Sequence, residues 1–151
     1  MVELNFQLNV DDGWPPVSVE GVPCSPVAGG FRVEAPPLFV KNLSVGDVIS
    51  AAPDAEGRVW EWAHVSKSTR TTIWVGRLKQ SAQLHIENLL HSLRTLGCYS
   101  SGNEVLGCYA VDVPSTCAIE NVDKLTERAD QKGIAIAYPS FRHEELSLIH
   151  I

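Results

Sequence analysis

The 151-residue sequence has no uninterrupted apolar run of about 18 residues, the length a helix needs to cross a bilayer. Its first residues, Met1-Val2-Glu3-Leu4-Asn5, lack the basic and apolar regions of a secretory signal, so the expected location is the cytoplasm. Basic residues are scarce: 12 Lys and Arg stand against 18 Asp and Glu, for a net charge of -6. No two cysteines are spaced Cys-x-x-Cys, which argues against a structural zinc site. Cys24, Cys98, Cys108 and Cys117 are therefore expected as reduced thiols, with Cys98 and Cys108 placed to face each other across a hairpin. Missing too are the nucleophile elbow, the phosphate-binding glycine loops and the His-Glu-x-x-His helix. What the chain does have is 44% hydrophobic residues, too apolar a composition for a disordered chain and enough for a folded core.

Those apolar residues change period along the chain. Val2, Leu4, Phe6, Leu8 and Val10 alternate with polar residues, which predicts a strand with one buried face. Further short strands are expected at 17–22, 31–34, 38–41, 45–52, 58–65 and 69–78, divided by turns rich in Pro, Gly, Asp and Asn. Such spacing predicts a small antiparallel β-barrel or curled sheet over residues 1–68. From Ser81, a plausible helix N-cap, Ile86, Leu89, Leu90 and Leu93 form a helical stripe closed by Gly97. A second helix carries Ala118, Val122, Leu125 and Ala129, and Gly133 ends it. With strands at 98–100, 104–113 and 134–138 and a turn at 101–103, residues 69–140 read β-α-β-β-α-β, the ferredoxin-like order. The fold class is thus α+β: two fused lobes sharing the strand at 69–78, then a polar tail over 141–151 holding His143 and His150.

Three segments carry a resemblance. They are Asp12-Gly13-Trp14-Pro15-Pro16-Val17-Ser18-Val19-Glu20, the run from Pro37 to Ile49 containing Val45-Gly46-Asp47-Val48, and Leu96-Gly97-Cys98 followed by Tyr109-Ala110-Val111-Asp112-Val113-Pro114. In this order and spacing the chain resembles the bacterial domain-of-unknown-function family 4265 over roughly residues 10 to 135. Two positions depart from the family's habit: Val22-Pro23-Cys24 stands where an aromatic is usual, and Trp74 where an arginine is. The resemblance implies a bacterial origin and brings no activity, cofactor or catalytic residue.

The residues themselves offer few catalytic constellations. Glu61, His64 and Ser66 are the nearest, but Glu61 and His64 fall on opposite faces of one expected strand. His85 and His91 lie about 240° apart around a helix, too far to share a metal. No cofactor and no metal is expected. Arg58, Trp60, Trp62 and His64 share a strand face, which either packs against the second lobe or forms a ligand face together with Trp74.

Charge is uneven: residues 1–64 carry nine acids and three bases, while Lys67, Arg70, Arg77 and Lys79 follow with no acid between them. Strand alternation splits that basic run, and the surrounding negative charge disfavours nucleic acid. A simple meander would set the turns at 11–16, 35–37 and 53–57 at one barrel end. Asp11, Asp12, Asp54 and Glu56 would then gather beside Trp14, either as solvated hairpin tips or as an interface for a basic partner. The expected function is a non-catalytic cytosolic binding protein, an immunity protein that neutralises a bacterial toxin by direct contact. The alternative is a regulatory module with a small molecule near Trp60 and Trp62.

Overall fold

The computed structural model describes residues 1–130 and 132–143, and they fold as mixed α+β in two compact units, Met1–Ser68 and Thr69 onward. Among the described residues no helix is long and apolar enough to cross a membrane.

The first unit is one six-stranded sheet. Its strands are β1 (Val2–Gln7), β2 (Val19–Val27), β3 (Gly30–Val33), β4 (Val48–Ala51), β5 (Arg58–Val59) and β6 (Trp62–Ser66), ordered β5-β1-β2-β3-β4-β6. β1 to β4 form an antiparallel meander, and β6 adds antiparallel to β4. β5 instead pairs with β1 in parallel, Asn5 opposite Arg58 and Phe6 opposite Val59. β5 and β6 are the two edges of the sheet, yet only Trp60 and Glu61 separate them. Three Cα–Cα steps cover at most about 11 Å, so the sheet must curl until its edges nearly meet. Contact across that seam follows: the rings of Phe6 on β1 and Trp62 on β6 meet edge to face at 6.3 Å. Leu4, Phe6, Val22, Cys24, Val33, Leu43, Ile49 and Val59 fill the interior.

Three strand assignments change. The expected strand at 58–65 is two strands on opposite edges, because the chain crosses the seam at Trp60-Glu61. Residues 38–41 are not a strand; the amides of Leu38, Phe39 and Val40 bond the Glu20 carboxylate instead of a neighbouring ladder. β2 runs through Pro23 and Pro26, which the expected strand at 17–22 excluded.

The second unit runs β7 (Thr71–Arg77), α1 (Gln83–Thr95), β8 (Tyr99–Asn103), β9 (Cys108–Val113), α2 (Ile119–Asp130) and β10 (Ile134–Ser140). Its sheet is ordered β10-β7-β9-β8 with every pair antiparallel. β7 lies between β9 and β10 in this sheet and is not shared with the first. Ile86, Leu89 and Leu93 of α1 and Val122 and Ala129 of α2 bury against Ile73, Val75, Val111 and Val113 of the sheet.

Gly97 ends α1 as the sequence indicates. At φ 100° it lets its own N–H reach Arg94 O and lets Cys98 N–H reach Leu93 O, the paired bonds of a Schellman cap. Ser81 does not cap the helix; a 3-10 turn at Gln80–Ala82 precedes it, and the N-cap is Ala82. The β8–β9 turn falls at 104–107 rather than 101–103, because Asn103 Oδ1 accepts Leu106 N–H and Gly107 takes φ 66°.

Residues 142 and 143, expected in the polar tail, pack into the fold. Arg142 and His143 are buried. Thr71 Oγ1 lies 2.6 Å from His143 Nδ1 and also accepts Arg142 N–H at 2.9 Å. His143 Nε2 faces Pro114 O at 3.1 Å, and since a carbonyl only accepts, Nε2 is the donor there. His150 lies outside the described residues.

Candidate functional site

The seam of the first unit brings together more of the singled-out residues than any other place. Asp54 opens the turn before β5, and its Oδ1 accepts the N–H groups of Glu56 and Arg58, both at 2.9 Å. An Asx-type turn of this kind is what Asp54 followed by Gly57 favours. Asp54 Oδ2 then accepts the indole N–H of Trp60 at 2.8 Å. The Arg58 amide and the Trp60 indole hold the Asp54 carboxyl below the usual aspartate range. Trp60 is thereby fixed although 65% exposed. Glu56 and Glu61 are exposed beside it, while Arg58 turns to Gln7, whose Oε1 accepts its Nη1 at 2.7 Å.

Behind Trp60 lies a groove of about 570 Å³ lined by Ser50, Ala51, Ala52, Trp60, Glu61, Trp62 and Ala63. Trp62 is half-buried, wedged edge to face between Phe6 and the His64 ring. His64 is held by Asp47, Nε2 to Oδ2 at 2.9 Å. Asp47 is fully buried and also accepts Ser44 N–H at 3.0 Å and Ser68 N–H at 2.8 Å. It clamps the loop into β4 to the chain leaving β6, and His64 serves that clamp. Trp74 lies mid-strand in β7 of the second unit, opposite Ala110 and Ala137.

The remaining residues of the proposed acidic mouth lie elsewhere. Asp12 and Gly13 both have positive φ, and Asp11 and Trp14 exchange backbone bonds around them, a tight turn of the kind Asp-Gly specifies. Trp14 is 57% exposed and stands edge to face on Phe39 at 5.8 Å. That turn leaves from the end of β1. The turn bearing Asp54 and Glu56 arrives alongside the start of β1, because β5 runs parallel to it. The four carboxylates therefore do not share one end of the sheet. A meander would have joined them only if β5 had been antiparallel to its neighbour.

Two features escaped sequence reasoning. Glu20 turns its carboxylate onto the amides of Leu38 at 2.6 Å, Phe39 at 2.9 Å and Val40 at 3.2 Å. Burial pushes its pKa up despite those three donors. In the second unit, Asp123, Glu127 and Asp130 recur along one side of α2 and line a groove of about 520 Å³ with Thr126, Ile136, Tyr138 and Phe141. Their i, i+4, i+7 spacing was the available signal.

The basic residues at 70 and 77 are engaged. Arg70 grips the Asp112 carboxylate with Nε and Nη2, and Arg77 Nη1 serves Gln83 Oε1 and Glu104 O. Among the described residues no group of three His, Cys, Asp or Glu side chains could hold a metal ion.

Comparison with known proteins adds kinship. Residues 20–136 match the model of a domain of unknown function, DUF4265. A crystal structure of a hypothetical protein from Neisseria gonorrhoeae shares the fold: 14% identity, TM-score 0.71, over 93% of this chain and 95% of that one. No curated protein matches the chain.

Proposed function

We propose a function from one premise: the chain belongs to the DUF4265 family, whose description states no activity. The protein is a non-catalytic binding protein whose contact surface centres on Trp60 and Asp54. In specific form it is an immunity protein that neutralises a bacterial toxin domain by direct binding.

The observation carrying this reading is the exposed but anchored Trp60. Tryptophan is the residue type most enriched at binding hot spots, and a ring already held in place loses little freedom on association. Asp54, Glu56 and Glu61 around it favour a basic partner and would steer its approach. The second unit supports a ferredoxin-like reading through its β-α-β-β-α-β order and its sheet order β10-β7-β9-β8.

A photo-reactive residue in place of Glu61 tests the surface in native cells. A basic protein cross-linked there, and not from a control position such as Asn103, supports the reading; equal labelling from both positions overturns it. The groove beside Trp60 favours a second reading, a small-molecule module. There, tryptophan emission would respond saturably to one compound of a metabolite panel and lose that response in Trp60→Phe. A pure protein inhibitor gives no such response.

A further inference from the structure

One end of the second unit gathers segments far apart in sequence. The N–H of Arg77, the last residue of β7, donates to Gly107 O, which draws the β8–β9 turn to that end. Cys108 pairs there with Asn103, so it does not face Cys98 across the hairpin. Arg77 Nη1 donates to Gln83 Oε1 and to Glu104 O, tying the start of α1 to the same turn. Leu78 N–H donates to Gly133 O at 2.9 Å, which adds the chain entering β10.

Three apolar side chains project from these pinned segments. Leu78 is 70% exposed, Leu84 in the first turn of α1 is 63% exposed, and Val105 in the β8–β9 turn is 89% exposed. That turn is closed on both sides of Val105: Asn103 Oδ1 accepts Leu106 N–H, and Glu104 O accepts Gly107 N–H. A lone exposed leucine is ordinary, but three such side chains at one end mark a contact surface. Side chains this exposed stand proud of the surface instead of lining a groove, which suits insertion into a yielding apolar phase.

The charges beside them fit an anionic surface. Arg77, Lys79 and Lys132 stand at this end, the acceptors of Arg77 are neutral, and the Lys79 stem passes over Gly133. Against them stands Glu104, while Asp130 lines the groove beside Ile136 and Tyr138. The net charge of -6 opposes an anionic surface only at long range, since salt screens it within about 8 Å and local charge governs contact. A second copy fits less well. Three side chains fall far short of the roughly 800 Å² that each partner of a stable dimer buries, and a two-fold contact would set lysines against lysines.

We propose that this end is a membrane-contact surface, where Leu78, Leu84 and Val105 enter the headgroup region of an anionic phospholipid bilayer and Arg77, Lys79 and Lys132 meet its phosphates. Attachment by so few groups is reversible and salt-sensitive, and it needs no helix that crosses the bilayer.

The test sediments the full chain at low salt with vesicles of phosphatidylcholine containing about 30% phosphatidylglycerol, and with vesicles of phosphatidylcholine alone. Binding to the mixed vesicles should be about tenfold or more tighter than to the neutral ones, and added salt should weaken it. Leu78→Ser with Leu84→Ser and Val105→Ser should lower affinity about tenfold or more at an unchanged circular dichroism spectrum, because all three side chains are exposed. Lys79→Ala with Lys132→Ala should remove most of the preference for the mixed vesicles. Val65→Ser, on an exposed side chain of β6, should change nothing. No sedimentation with the mixed vesicles, or equal sedimentation of the triple variant, overturns the proposal. Self-association that the triple variant abolishes, without vesicle binding, also overturns it and assigns the patch to a second copy.

Discussion

Trp60 and Asp54 are joined by a 2.8 Å indole-to-carboxylate hydrogen bond six residues apart in sequence, and the ring it fixes is exposed. The first prediction concerns that bond. Asp54 has a lowered pKa, so its ionised form is the one the folded turn favours. The bond is fully present above the ordinary aspartate value, about 3.9, and is lost as pH falls through the lower folded value. The Trp60 indole N–H resonance should hold its position from neutrality to mild acid and shift only in strong acid. In Asp54→Ala it should take the shifted position at every pH, with the fold intact.

A second prediction addresses the pair inside the other unit. Arg70 Nε and Nη2 reach Asp112 at 2.9 and 2.7 Å, and the Asp112 side chain is only 4% exposed. Asp112→Ala deletes the acceptor of the Arg70 Nε and Nη2 bonds and leaves a buried gap beside the guanidinium. Arg70 keeps 36% exposure, so water offsets part of the loss, and a cost of about 2 kcal/mol is expected in urea unfolding. Lys67→Ala, on an exposed side chain, should change stability by less than about 0.5 kcal/mol.

Tyr138 provides a third. Its hydroxyl donates to Asp123 Oδ1 at 2.6 Å, and burial, aided by that bond, pushes its pKa up to about 12. A raised folded value means that the stabilisation is whole below the ordinary tyrosine pKa near 10 and disappears as pH climbs through 12. Ultraviolet titration should show one phenol ionising late. Tyr138→Phe should remove that late step and cost about 1 kcal/mol near neutrality.

Local signals in the sequence transferred well where a single residue decides a conformation. Gly97 at φ 100° ends α1 where the pattern placed it, and Ile86, Leu89 and Leu93 bury as their spacing requires. Alternation found β1 but not its end, since Val10 is 44% exposed beyond the last paired residue. Long-range pairing was out of reach. Nothing in Arg58-Val59-Trp60-Glu61-Trp62 says that the chain leaves one sheet edge at Val59 and joins the other at Trp62. That crossing exposes Trp60 and undoes the single acidic end, so the site depended on the pairing least visible in the sequence. Asp47 was hidden for a similar reason: Ser44 is local, but His64 and Ser68 reach it only through the pairing of β4 with β6.

The separation of the two acidic turns allows the most direct test of the binding surface. The cross-linked partner, purified, is titrated against two double charge reversals, Asp54→Lys with Glu56→Lys and Asp11→Lys with Asp12→Lys, at low salt. The seam-centred surface predicts that the first pair weakens binding by 100-fold or more, about 2.7 kcal/mol, while the second changes it less than about threefold. Loss of binding with the second pair and wild-type affinity with the first would contradict it.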